Sequence, residues 1–242
     1  MKIYFLTAVA FFCTQLSAMQ LFSNDFDFVE SRTLSLPVAD LDRLKIDAGS
    51  GKLTVIGEET DKISVKADIY QSQASTDYCF ELIKQKNIAL LTANTCHRAY
   101  NHTLLHLTIT VPSELLTEIK DRSGAIIIEN ASVSRIEDGS GSIRISNNLL
   151  SVEIEDGSGN INIHGVHGAI AIGDGSGKVV VEQVDGDVSI EDGSGKIVVK
   201  NVSGKVVIDD GSGSVLVRNA HSFELIDNSS GKIQLIDIKE QL

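Results

Sequence analysis

Five aspartates, Asp138, Asp156, Asp174, Asp192 and Asp210, recur at one position of a repeated turn, and Asn228 ends their row. Glu137, Glu155, Glu191, Asp209 and Asp227 run beside them, interrupted by Gly173. Residues repeated in this way form columns if the turns stack, and neighbouring strands lie about 4.8 Å apart. Two carboxylates at that distance repel by roughly 0.8 kcal/mol in water. Such a row calls for a counter-ion or for compensating hydrogen bonds. One chemistry it could do is to hold calcium or another cation on an outer ridge. The other reading makes each Asp a turn residue that accepts from its own backbone N–H groups, a role to which Asp is well suited.

A related calcium-binding nonapeptide, G-G-x-G-x-D-x-U-x, places its Asp two residues after the last turn glycine. Here Val179, Ile197 and Val215 stand at that position, where burial is expected, so any calcium would bind outside the coil. Two cysteines, Cys79 and Cys96, follow the leader. In an oxidising compartment they read as a disulfide worth about 3 kcal/mol in the chain-entropy view. Adding His97, His102 and His106 to them gives a metal-site alternative, but the spacings match no standard zinc pattern. Enzyme signatures are missing. GDGSGK resembles a phosphate-binding loop, yet Ile172 stands where its first glycine belongs, and the motif opens a strand where that loop opens a helix. The repeated serine lacks the G-x-S-x-G setting of a nucleophile elbow. Lys178 and Lys196 stack beside the acidic row, but Ser142, Asn160 and Ser214 take the same place in other coils.

The elements that would position these residues follow from the repeat. DRSGAIIIEN, EDGSGSIRIS, EDGSGNINIH, GDGSGKVVVE, EDGSGKIVVK, DDGSGSVLVR and DNSSGKIQLI align on Ser123, Ser140, Ser158, Ser176, Ser194, Ser212 and Ser230. Their spacing is 17 once and then 18 five times. A fixed period of this size marks a solenoid, in which each repeat buries its apolar face against its neighbours. Within one coil Ile170, Ile172, Val179, Val181 and Val184 alternate with outward residues, which is strand periodicity. The same pattern returns at Val188, Ile190, Ile197, Val199 and Val202. No 3.6-residue period fits, and glycine-rich turns interrupt every coil. The opposite turns, GVHG, QVDG and NVSG, read as looser. Parallel crossovers of this kind are overwhelmingly right-handed. The expected fold is all-β, a right-handed parallel β-helix with 18-residue coils and an irregular N-terminal β cap.

The organisation expected along the chain is a signal peptide at 1–18, a lead-in segment at 19–40 with a turn or edge at Pro37, and a β-helix domain at 41–242. Within that domain, 41–118 forms the irregular N-terminal part and cap, and 119–242 the regular coils. Lys2, the apolar run from Ile3 to Phe12 and the small Ala18 make up the leader pattern. ISVKADIYQ, CFELIKQ, IALLTAN and LLHLTITV read as longer strands that close one end. The formal net charge of -12 excludes a nucleic-acid backbone as partner and argues against an anionic lipid surface. No membrane span is expected, and the protein should be periplasmic or secreted.

Outward positions supply a second candidate surface. Val180, Val198 and Leu216 form one outward column, while Glu153, Ala171, Ser189, Val207 and Leu225 form another. A contiguous exposed apolar patch commonly marks an interaction site. The recurring D-G-S-G-x-φ-x-φ and the leader before it resemble the bacterial putative-adhesin β-strand-repeat family, a domain of unknown function, over roughly residues 40–240. The resemblance implies an exported β-helix with an adhesin-like role and no catalytic residues. The function expected is a non-enzymatic structural or interaction module, binding an envelope protein or glycan or a second copy of itself, with no cofactor. The alternatives are a glycan-active β-helix enzyme and a calcium-dependent surface binder.

Overall fold

The computed structural model describes residues 25–96 and 102–241. The signal peptide reading and His97 therefore lie outside the described residues. All the elements found are strands. They are β1 (Asp27–Pro37), β2 (Arg43–Ala48), β3 (Leu53–Glu58), β4 (Lys62–Gln71), β5 (Cys79–Gln85), β6 (Ile88–Asn94), β7 (Thr103–Pro112), β8 (Leu116–Asp121) and β9 (Gly124–Glu129). Then come β10 (Val133–Asp138), β11 (Gly141–Asn148), β12 (Val152–Asp156), β13 (Gly159–Val166), β14 (Ile170–Asp174), β15 (Gly177–Val184), β16 (Val188–Asp192) and β17 (Gly195–Gln241), which runs on through the last coils. No helix of the described residues is long and apolar enough to cross a membrane.

The fold is a parallel β-solenoid. One face carries β8, β10, β12, β14, β16 and Val206–Asp210 of β17, each pairing in parallel with the next. The other face carries β9, β11, β13, β15 and Gly195–Val202 of β17 in the same way. The register is in step with the repeat: Ile154 lies beside Ile172, Ile172 beside Ile190, and Ile190 beside Ile208. All the inward positions named above are buried. Removing a side chain of this size from water contributes roughly 1.5–3 kcal/mol, and β-branched residues pack well on a pleated surface.

The turns between the faces require glycine. Gly159 has φ +150° and Gly177 φ +148°, a backbone region that is nearly glycine's alone. A Cβ at either would lie 1.5 Å from the carbonyl oxygen of the equivalent glycine one coil earlier. Gly141 N–H donates to Ser158, Gly159 N–H to Ser176 and Gly177 N–H to Ser194, so the parallel hydrogen-bond ladder continues through the turns. The opposite turn is more regular than its sequence suggests. Asn130, Asn147, Gln183, Asn201 and Asn219 all take φ of 54–60°, with Gly165 at 78° in the same series. Asn is among the few residues that tolerate this left-handed conformation. The Asn147 amide also donates to Asn130 Oδ1, and that of Asn219 to Asn201 Oδ1.

The N-terminal region does not stack in chain order. β2 and β3 make a coil that pairs with β8 and β9 on one side and with β6 and β7 on the other. The chain thus leaves after β3, returns beyond it, and then crosses back past it into the regular coils. β4 pairs antiparallel with β7, and β5 with β6. The segment read as a lead-in differs from expectation, because residues 27–37 form β1, an edge strand antiparallel to β4 that ends at Pro37. Leu34 and Leu36 explain it, since both pack against the core from alternate positions.

Candidate functional site

On the first face β8, β10, β12, β14 and β16 each end in an aspartate, and so does the Val206–Asp210 stretch of β17. In β14 the inward positions are Ile170, Ile172 and then Asp174, so the carboxyl points into the coil like the isoleucines before it. Asp121, Asp138, Asp156, Asp174, Asp192 and Asp210 stand in register on successive strands. All are almost fully buried: Asp138 and Asp156 are 6 % exposed, Asp121, Asp174 and Asp192 5 %, and Asp210 0 %. An outer cation ridge needs these carboxylates in solvent, and the structure turns them inward. Among the described residues no group of three or more His, Cys, Asp or Glu side chains is placed to hold a metal ion.

One oxygen of each carboxyl has the expected turn role. Oδ1 of Asp138, Asp156, Asp174, Asp192 and Asp210 accepts from the N–H of Ser140, Ser158, Ser176, Ser194 and Ser212 at 3.1–3.2 Å. The other oxygen, Oδ2, is buried and lacks a hydrogen-bond partner in all six aspartates. Burial raises every one of these carboxyls. Asp121 is pushed up to about 7 by burial and then by the charge of Asp138. Asp156 is pushed to about 6 by burial and by Asp138 and Asp174. Asp192 reaches about 6 by burial and, more weakly, by the charges of Asp174 and Asp210. Asp138, Asp174 and Asp210 rise chiefly through burial as well. Desolvation disfavours the charged form and like charges add to it.

The outer acids behave differently. Glu137 lies 3.0 Å from Arg135 and 3.7 Å from Lys120, and these cations hold its carboxyl below the usual range. Arg135 also reaches Glu153 at 2.7 Å.

The outward column of Val180, Val198 and Leu216 is less open than its sequence suggests. Val180 and Val198 are paired in register. Val198 is only 7 % exposed, and Val180 and Leu216 are half-buried. A branched side chain flanked at about 4.8 Å on both sides is screened from water by its own column. The other outward row lines a shallow groove of about 590 Å³. Ala171 and Ser189 form its exposed floor, with Ser134 and Val207 at its ends. Glu153, in register with Ala171, closes one end of the row, and the turn residues Asp187 and Lys205 supply a charged edge. Sequence reasoning named the row but missed the turn residues Asp187 and Lys205. The available signal was the run of small residues between larger neighbours.

Cys79 and Cys96 form a disulfide with Cα atoms 5.3 Å apart, tying the start of β5 to the segment just after β6. His102 and His106 are used elsewhere. His102 Nδ1 lies 3.2 Å from Ser72 Oγ, and His106 Nδ1 accepts from the Lys52 N–H at 2.9 Å.

These features define a parallel β-solenoid with a buried acidic column and a lateral groove. No family model and no curated protein matches the chain. Solved structures similar to it include a "putative adhesin" from Bacteroides fragilis, 13% identical, covering 88% of this chain and 97% of that one, with a TM-score of 0.47. A "putative cell adhesion protein" from Clostridium sporogenes is 13% identical over 88% of this chain and 99% of that one, TM-score 0.35. A "putative lipid binding protein" from Parabacteroides distasonis is 12% identical over 87% and 96%, TM-score 0.37. At these identities and scores, the functional reading rests on the chain's own surface.

Proposed function

We propose that this protein is a non-enzymatic, exported binding module that holds an envelope protein or glycan against the lateral groove of its solenoid. The observation that carries this reading is the in-register row of Ala171 and Ser189, exposed with Glu153 at one end of the row and the turn residues Asp187 and Lys205 along one edge. Its small side chains leave room for an extended chain to lie along the solenoid axis, and its charged edges offer donors and acceptors to a polar ligand. The rigid ladder beneath it is already ordered, which lowers the entropic cost of association. A disulfide fits an oxidising compartment outside the cytoplasm.

The test is binding of the purified chain to immobilised envelope polysaccharide and to separated envelope proteins. An Ala171→Arg/Ser189→Arg variant fills the groove without touching the core. Binding that weakens at least about tenfold (roughly 1.4 kcal/mol) in this variant supports the groove. Binding that survives it, with loss in a Val180→Lys/Leu216→Lys variant, moves the surface to the opposite face. Turnover of the polysaccharide would overturn the non-enzymatic reading.

A further inference from the structure

The buried aspartate column presents an electrostatic problem that its hydrogen bonds leave unsolved. Six carboxyls stand in register inside the coil, each with Oδ1 or the turn backbone engaged and Oδ2 buried without a partner. A buried oxygen without a donor is costly, and more so when charged. Asp47, Lys120, Glu137, Glu155, Glu191 and Asp209 belong to the same strands but occupy the outward positions. Asp47 and Asp209 add negative charge to the two ends, acting on Asp121 and Asp210. Arg122 in the first turn meets the column through its backbone. Across the coil, β9, β11, β13 and β15 present aliphatic inward residues such as Ile143, Ile161 and Val179, and the one polar inward residue there, Asn148 of β11, is neutral. Among the described residues, therefore, no inward cation neutralises the row.

The column also ends in neutral groups. Ala48 occupies the position that follows Asp47 in β2, and it stands beside Ala93. At the other end Asn228 takes the place of the aspartate, with both of its amide atoms buried and unpartnered.

We propose that these aspartates form a proton-sharing ladder, in which a protonated carboxyl of one coil donates from its otherwise unpartnered oxygen to the carboxylate of the next, so that mild acid tightens the solenoid. Each proton comes from solvent, and an alternating arrangement of three acids and three carboxylates gives every second carboxyl a donor. The upward displacement of all six carboxyls is in the direction this requires.

The sign of the effect follows from linkage. These groups keep protons in the folded chain that they lose in the unfolded one, where Asp titrates near 3.9. The stabilisation is complete below that value and disappears as pH rises through the folded values, about 6 for Asp156 and Asp192 and about 7 for Asp121. Thermal unfolding of the full chain should thus show a Tm about 5 °C or more higher at pH 5 than at pH 8.

An Asp138→Asn/Asp174→Asn/Asp210→Asn variant places a permanent amide donor between the remaining carboxylates. It is expected to melt higher than the parent at pH 8 and to lose most of the pH dependence. Infrared spectra of the parent should retain a carboxylic-acid carbonyl band near pH 6 that vanishes by pH 9. A parent Tm that is flat or rises between pH 5 and 8 overturns the proposal, as does the absence of that band. Calcium or potassium chloride that raises the Tm of the parent at pH 8, but not of the variant, also overturns it, because the row would then be a cation column. If the variant fails to fold, the parent's pH profile and its infrared band still decide.

Discussion

At Gly159 an added Cβ would meet the Gly141 carbonyl oxygen at 1.5 Å, while at Gly173 it would meet only the Glu155 carboxylate tip at 2.7 Å. The first contact is with backbone fixed by the ladder, and the second with a flexible side chain that can move aside. Gly159→Ala should therefore lower stability by about 3 kcal/mol or more. Gly173→Ala should change it by less than about 0.5 kcal/mol. Denaturant unfolding of the two variants checks both. Asn148 gives a second case. It is fully buried at the position where the next coil has Val166, and its amide bonds the N–H and carbonyl of Val133. Asn148→Val fits the column but orphans those backbone groups. The expected loss is about 1–3 kcal/mol, read in the same unfolding measurement.

At the scale of elements, the disulfide matters where the solenoid is least regular. β5 pairs only with β6 among the described strands, and its outer face is exposed, with Ile83 51% exposed. Residues 79 and 96 enclose a loop with a sequence separation of 17. Replacing both cysteines by serine should cost about 3 kcal/mol. The effect should be local: amide exchange should quicken in β5 and β6 and stay unchanged in β12–β16. Uniform acceleration across all coils would show that the cap and the coils unfold together.

At the scale of the whole molecule, the coils are interchangeable units. Deleting residues 159–176 joins Ser158 to Gly177 and restores the same turn one coil shorter. That variant should fold, keep its strand circular dichroism, and melt cooperatively, because coil stabilities add through nearest neighbours. Deleting half a coil instead would put turn glycines against strand positions and should leave the chain unfolded. The acid preference of the column also belongs to this scale. The surface carboxyls of Glu118, Glu137 and Glu182 are lowered by their lysine and arginine partners and favour higher pH. Exposed pairs of this kind contribute little, so the buried column should set the slope between pH 5 and 8.

How much was legible differs by scale in the same way. The five D-G-S-G turns, their two variants and the alternating Ile and Val marked the inward aliphatic residues of the coils from Ile170 to Val202, because strand periodicity is local and each coil repeats its neighbour's solution. The same alternation carried one step further, from Ile170 and Ile172 to Asp174, also indicated the buried acidic column. Solvation preference argued for an exposed ridge instead, and only the closed coil decided that the strand geometry prevails. Val198 likewise alternates outward, but its burial depends on the side chains one coil above and below it. The N-terminal region was the least legible. Nothing in the local pattern of LKIDAGSGKLTVIG states that its coil lies between β6 and β8, since that depends on which sheet edge the returning chain pairs with. Sequence by itself determined the repeat, the strands and the core. Tertiary structure alone decided the order of the first coils, the cover over the aspartates and the shape of the groove, because each is a property of chain segments brought together from afar.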